Sequence, residues 1–370
     1  MKKKKILFFH FDLGGGGAEK VLVNLLNNLN PDKYDITLYT VFNHGVYKDS
    51  FKDHIRRKTI FYKTFGGLIM LAKLLSPSML HHLLIREKYD IEIAFYHRFP
   101  ARVISGCHNK NTRTFAWVHS SMVSPEDFFT SFRSIKEGKK AYYKFDRIAF
   151  VAQTALDSFV NKTGWSDLDC KVIHNTIDSN DIIEKSKYKC DLYLNKNILN
   201  ICSVGRLSEE KGYIRLIKSL HIIKESGYDK WHFYLLGQGA EETTLKDLIS
   251  KFSLDNYISL LGFKSNPYKY VSQMDLFVCP SYVEGYSTAV VESIIVGTPV
   301  LTTDCSGMKE ILGDEAGIIV ENNDEKLTEG LARILRDKNI LQELRIGAKK
   351  RGKEFSIENS IKEFEDFIHG

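Results

Sequence analysis

The sequence predicts an α/β protein of two domains, each a parallel β-sheet covered by helices. Three observations carry that expectation. The chain has 370 residues, beyond the roughly 100 to 200 of one domain. Short apolar runs alternate along it with stretches of helical periodicity. Near the middle, His174-Asn175-Thr176-Ile177-Asp178 leads into a polar, lysine-rich stretch, 179–197, without regular apolar spacing. The implied divisions are 1–178, 179–355 and a closing helical segment, 356–370. In open sheets of this kind ligands gather at the carboxyl ends of the strands, so the turns that follow strands are the places to look for function.

Lys4 to Phe9 is an apolar run that ends in a polar turn. Gly14-Gly15-Gly16-Gly17 follows, then Ala18 to Leu29, where Val21, Leu22, Leu25, Leu26 and Leu29 share a helical face. Strand, glycine loop, helix is the reading. Glycines let a ligand approach the backbone, and a helix start offers unpaired amides to a phosphate. The dinucleotide fingerprint fails, because its third glycine is Glu19 counted from Gly14 and Lys20 counted from Gly15. That opposes a nicotinamide oxidoreductase, and no Gly-Lys-Ser/Thr follows to make a triphosphate loop. Asp35–Tyr39, Ile91–Tyr96, Thr114–Trp117, Ile148–Val151 and Lys171–Ile173 are further expected strands. Tyr96 to Arg98 and His119-Ser120 follow strands, and His119 there is a candidate to take a proton from an acceptor hydroxyl.

Charge is divided unevenly. Residues 1–174 hold 27 Lys and Arg against 16 Asp and Glu, a net of +11, while the remainder holds 25 against 30, a net of −5. Within the basic half, 51–88 interleaves Arg56, Arg57, Lys58, Lys63, Lys73, Arg86 and Lys88 with Phe61, Tyr62, Phe65, Leu68, Ile69, Met70, Leu71, Leu74 and Leu75. Such a mixture suits an anionic membrane surface. No nucleic-acid recognition motif is visible. There is no apolar run of about 18 residues and no signal-peptide pattern, so a cytoplasmic location is expected. The six cysteines are scattered without a Cys-x-x-Cys pair, which reads as small buried thiols rather than disulfides or a metal site. Asp167-Leu168-Asp169 has an Asp-x-Asp spacing but sits in a polar stretch before the hinge, and is read as a turn; no metal is expected to be needed.

The second domain opens with the strand Leu199–Val204 and the loop Gly205-Arg206-Leu207-Ser208-Glu209-Glu210-Lys211-Gly212, then a helix from Tyr213 to about Lys224. Arg206 offers a fork of donors and Lys211 a point charge, both suited to a diphosphate. His232–Leu236 ends in Gly237-Gln238-Gly239, and Ile258–Leu261 ends in Gly262-Phe263. The run Leu276–Cys279 leads into Glu284-Gly285-Tyr286-Ser287-Thr288-Ala289-Val290-Val291-Glu292. There Ser287 or Thr288 is placed to cap a helix whose free amides suit an anion, with two acids nearby. The strand Val300–Thr303 and helices near Asp324–Arg336, Asn339–Phe355 and Ser356–Ile368 complete the chain.

Glu284 to Glu292 resembles the Glu-x7-Glu motif of retaining nucleotide-sugar glycosyltransferases of family 4. Gly205 to Gly212 resembles that family's diphosphate clamp, Gly15 to Glu19 its amino-terminal loop, Trp117-Val118-His119 its Trp-x-His segment, and His174 to Asp178 its Pro-Asn-Gly-Val-Asp hinge, with His174 and Thr176 in place of proline and glycine. The resemblance implies a GT-B fold, two Rossmann-like domains facing a cleft, with the last helix crossing back to the first domain on Ile361, Phe364 and Phe367. It implies a donor site of Gly15, Gly16, Arg206, Lys211, Gly237, Gly262, Phe263, Glu284, Gly285, Ser287, Thr288 and Glu292. Glu284, His119, Arg206 and Lys211 are closest to the chemistry, and Glu292 holds the donor ribose. The implied activity is sugar transfer from a UDP- or GDP-sugar, with retention, to a glycan or lipid-linked glycan. Cys305 to Glu310 and the basic first half resemble the bacterial surface-polysaccharide enzymes, at the inner face of the membrane. Two other readings of the fold are a sugar-nucleotide epimerase and a non-catalytic partner subunit. Loss of the cations or paired acids would signal the latter, and neither is lost.

Overall fold

The computed structural model describes residues 3–14 and 16–370. It forms two compact units, one built from residues up to Thr176 together with Glu358–Gly370, the other from Ile177–Ile357. These divisions lie within two residues of those expected from the sequence.

The first unit holds a seven-stranded sheet of β1 (Lys4–His10), β2 (Tyr34–Phe42), β3 (Ile55–Phe61), β4 (Ile91–Ala94), β5 (Arg113–Val118), β6 (Arg147–Phe150) and β7 (Cys170–Val172). Their spatial order is β3-β2-β1-β4-β5-β6-β7, and every pairing is parallel. A central parallel strand is covered on both faces and so reads as a continuous apolar run; Ile6, Leu7, Phe8 and Phe9 of β1 are all fully buried. β3 is a strand where the sequence suggested a membrane-facing segment. It lies on the sheet edge, where charge is common because it blocks further pairing. Arg56 and Lys58 are tied to Glu87 there, and Arg57 to the Lys48 carbonyl.

The second unit holds β8 (Leu199–Val204), β9 (Trp231–Leu236), β10 (Ile258–Gly262), β11 (Leu276–Cys279), β12 (Val300–Thr303) and β13 (Gly317–Val320). They are ordered β10-β9-β8-β11-β12-β13, again all parallel. β13, four half-buried residues at the edge, is too short to stand out in the sequence. Residues 179–186, read from sequence as irregular, form a helix, Ser179–Ser186. Asp178 accepts a hydrogen bond from the Asp181 amide at its start, and Ile182 is its buried anchor; so short an element shows no periodicity.

Both sheets are doubly wound, with strand order reversing at β1/β4 and at β8/β11. Loops at such a switch point diverge and leave a crevice outside the carboxyl ends of the strands. After the second unit the chain returns to the first in the helix Ile357–His369. Phe364 packs on Phe8 and Trp117, and Phe367 on Phe115. Burying each ring contributes roughly 2 kcal/mol. Among the described residues no helix is long and apolar enough to cross a membrane.

Candidate active site

At the β8/β11 switch point of the second unit, backbone packing fixes the geometry. Gly212 has φ +68°, and a Cβ on it would meet the Pro280 carbonyl oxygen at 2.1 Å. Only glycine lets the loop after β8 lie this close to the end of β11. The Tyr282 amide donates to the Glu210 carbonyl at 2.8 Å, joining the same loops. Beneath them Arg215, 1% exposed, donates to the carbonyls of Pro280 and Ser281 and to Asn322 Oδ1, and its guanidinium lies 3.8 Å from the centre of the Tyr282 ring. Sequence reading missed Arg215, which looks like any helix arginine until its burial is known.

That scaffold brings Lys211 and Glu284 together, 73 residues apart in the chain, with Nζ 2.7 Å from Oε1. Ser281 Oγ donates to the same carboxylate oxygen at 2.6 Å. Burial works against the charge on Lys211, but the carboxylate of Glu284 outweighs it and raises the ammonium above its ordinary range. Lys211 therefore stays cationic. Arg206 is exposed, and its guanidinium makes no hydrogen bond or ion pair among the described residues. Ser287 occupies the N-cap of the helix Thr288–Ile295 without making a side-chain cap, so the expected cap is not formed and the first amides keep their anion-binding capacity. Thr288 is the first helical residue, and Glu292, one turn in, is 7% exposed. Gly285 is buried beside Gly307, where an added Cβ would come 2.9 Å from the Gly285 carbonyl oxygen.

Gly237 sits at φ +150°, where a Cβ would meet the Gly205 carbonyl at 1.8 Å, and its amide donates to the Gly262 carbonyl. It locks the strand ends of β8, β9 and β10 together. Gly262, at φ +68°, faces open space, and Phe263 beside it is 53% exposed.

The first unit has its own constellation at β1/β4. Both ring nitrogens of His119 are buried without a partner among the described residues, and its ring packs on Phe95 and Trp117. Burial, with the nearby charges of His10 and His97, holds its pKa well below the imidazole range. A ring held that low is neutral, a hydrogen-bonding group and a poor proton acceptor. His97 is depressed to about 3 by burial and by Arg98. His10 was not singled out in the sequence; it bonds the Phe95 carbonyl across the switch point and lies 3.3 Å from Glu19 Oε1. Burial pushes the Glu19 carboxyl up, and the His10 contact outweighs it, leaving the pKa lowered. Gly16 is the N-cap of the helix Gly17–Asn28; Gly15 lies outside the described residues. Next to β1 and β2 a cavity of about 660 Å³ is lined by Phe11, Phe42, Phe65, Leu68, Ile69 and Met70, with Asp12, His44 and Lys73 among its polar members. Asp167 accepts the Tyr143 hydroxyl at 2.6 Å and Asp169 pairs with Arg147 at 2.8 Å, so both carboxylates of the Asp-x-Asp are engaged locally.

Two family models match the chain, glycosyltransferase family 4 over residues 15–181 and glycosyl transferases group 1 over 184–352. The chain is 28% identical over 360 residues to the N-acetylgalactosamine-N,N'-diacetylbacillosaminyl-diphospho-undecaprenol 4-alpha-N-acetylgalactosaminyltransferase of Campylobacter jejuni, covering 95% of this chain and 96% of that one. It is 23% identical to the lipopolysaccharide core biosynthesis glycosyltransferase LpsE of Rhizobium meliloti, covering 95% and 93%. Among solved structures it is similar to HepE of Anabaena in complex with UDP and glucose, with a TM-score of 0.77 at 20% identity and 99% of each chain covered. It also resembles WaaG, a glycosyltransferase involved in lipopolysaccharide biosynthesis, with a TM-score of 0.77 at 14% identity, 99% of this chain and 100% of that one. Two doubly wound parallel sheets, with the phosphate-type loop and the paired acids at the expected strand ends, agree with these matches: the chain belongs to the GT-B glycosyltransferases of family 4.

Proposed function

We propose that this glycosyltransferase moves a sugar, with retention at the anomeric carbon, from a nucleoside-diphosphate sugar to a lipid-linked glycan in cell-surface polysaccharide assembly. The observation that carries the donor half is the Lys211–Glu284 pair beside the unengaged Arg206 and the uncapped helix start at Ser287. In the transfer the bond from C1 of the sugar to the diphosphate oxygen breaks and its electron pair leaves with the diphosphate. A bond from the acceptor oxygen to C1 forms, and the acceptor proton ends on the released diphosphate. Arg206, Lys211 and the amides after Ser287 stabilise the departing charge. Glu284, held by Lys211 and Ser281, lies against the sugar, Glu292 holds the ribose, and Gly262 and Phe263 border the base. No metal is called for while two cations serve the diphosphate.

The acceptor is assigned to the first unit, with His119 as a neutral hydrogen-bonding group and the apolar cavity beside β1 and β2 receiving the lipid-proximal part. The relatives support this class of acceptor, one being named for a diphospho-undecaprenol substrate. Membrane contact is supported by Met70, Leu71 and Leu74, 78%, 61% and 76% exposed. Their segment is held in place by Arg102, which is fully buried, donates to the carbonyls of Ala72 and Leu75 and pairs with Glu137. Arg133 donates to the carbonyls of Lys73 and Leu74. An apolar ridge fixed by two arginines beside Lys63 and Lys73 suits the inner face of a cell membrane.

The test is a screen of UDP- and GDP-sugars with the unaltered protein and with Arg206→Ala, Lys211→Ala and Glu284→Ala, read by nucleotide release and by NMR of the product anomer. Equal turnover by all four proteins sinks the site assignment. Free nucleotide-sugar isomer without acceptor would establish the epimerase instead.

A further inference from the structure

A second cluster lies at the opposite end of the first sheet from the sugar chemistry. Glu92 is the second residue of β4, near the strand's amino end, and is 2% exposed. His81 stands in the last turn of the helix Pro77–Leu84, its Nε2 2.7 Å from Glu92 Oε2. Cys107 follows the helix Phe99–Ile104 and is a free thiol. One nitrogen, one oxygen and one sulfur from these three all lie within 4.8 Å of one another.

We infer that His81, Glu92 and Cys107 form a binding site for a thiophilic divalent cation of the zinc type, separate from the sugar site. Imidazole, carboxylate and thiolate are ligands zinc takes, and at bond lengths of about 2.0 to 2.3 Å tetrahedral ligand atoms lie roughly 3.3 to 3.8 Å apart. Side-chain rotations that draw the cluster in by about 1 Å reach that spacing, leaving a fourth position for water. The backbone is already held for this: a Cβ on Gly106 would lie 2.0 Å from the Pro77 carbonyl oxygen, so the segments bearing His81 and Cys107 touch main chain to main chain.

The ligand set also suits the ion: with zinc bound, its two charges are balanced by the Glu92 carboxylate and the Cys107 thiolate beside a neutral His81 imidazole, so no charge is left stranded. The cation would fasten the helix Pro77–Leu84 to β4. No linear pattern points to this cluster, since the three residues are spaced 11 and 15 apart and match no zinc motif.

Chelator-stripped protein titrated with Co(II), then Zn(II), tests the site without any sugar substrate. The expected result is one Co(II) per chain with a thiolate-to-cobalt charge-transfer band, protons being released as Co(II) binds, and loss of the band without further proton release when Zn(II) displaces it. The band is lost in Cys107→Ser and weakened at least tenfold in affinity in Glu92→Gln, while Cys190→Ser keeps it. Zn(II) should also protect Cys107 of the unaltered protein from alkylation, read by peptide mass spectrometry, which needs no variant to fold. Absence of the band in the unaltered protein, its persistence in Cys107→Ser, or alkylation of Cys107 unchanged by Zn(II) would each overturn the inference.

Discussion

Lys211 Nζ is 2.7 Å from Glu284 Oε1, so the cation read from one loop and the acid read from another are a single ion pair. The residue proposed to hold the diphosphate and the acid proposed to face the sugar are thus coupled, and a change in either is felt by both.

Removing one partner exposes that coupling. Lys211→Met should lower transfer about tenfold to a thousandfold and destabilise the fold by roughly 1 to 3 kcal/mol, because the largely covered Glu284 carboxylate loses its cation and keeps the Ser281 hydroxyl. Lys211→Met combined with Glu284→Gln should recover most of the stability and none of the activity. Urea unfolding alongside donor turnover separates the two; a double variant as unstable as the sum of the singles counts against the coupling.

Gly212→Ala places a methyl group against the Pro280 carbonyl and forces a side chain into the left-handed region. The strain alone is about 1 to 3 kcal/mol, and the close contact adds to it. Activity should fall with stability, since this approach positions Lys211. Unchanged turnover in Gly212→Ala would show that the loop can be repositioned without loss.

His97 carries the acid sensitivity of the first unit. Its folded pKa is lowered to about 3, against about 6.5 unfolded, so below pH about 6.5 the unfolded chain takes up a proton that the folded one refuses. Stability should decline from there down to about pH 3. His119 acts in the same direction. The midpoint of urea unfolding, followed from pH 7 to pH 4, should fall less steeply in His97→Gln; identical slopes would refute the assignment.

Leu71→Ser with Leu74→Ser removes exposed apolar surface and leaves the lining of the cavity intact. Sedimentation with anionic vesicles should show at least several-fold weaker binding, with thermal stability within about 0.5 kcal/mol of the parent and donor hydrolysis in solution unchanged. Equal vesicle binding would remove the membrane reading of this ridge.

Much of this architecture was legible before any coordinates, because a parallel strand covered on both faces leaves an unbroken apolar run and each functional loop sits directly behind one. Two of the four edge strands were not: Ile55–Phe61 carries Arg56, Arg57 and Lys58 because an edge need not be apolar, and Gly317–Val320 is short and only half-buried. At the site, loop motifs marked Arg206, Lys211 and Glu284. They carried no sign that the last two pair, which depends on Gly212 letting two distant loops meet. His10 with Glu19, and Arg215 beneath Pro280, depend on burial, which a linear pattern does not display.

The helix Ile357–His369 has a consequence for synthesis on the ribosome. Phe8, Phe115 and Trp117 are laid down early, yet the rings that cover them, Phe364 and Phe367, emerge only after the whole second unit. At roughly 5 to 20 residues per second, producing the intervening second unit takes about 10 to 40 s, and for that time these three rings lack that cover. The growing chain therefore carries exposed apolar surface during that interval, and its first unit cannot complete its core until the helix Ile357–His369 has been made.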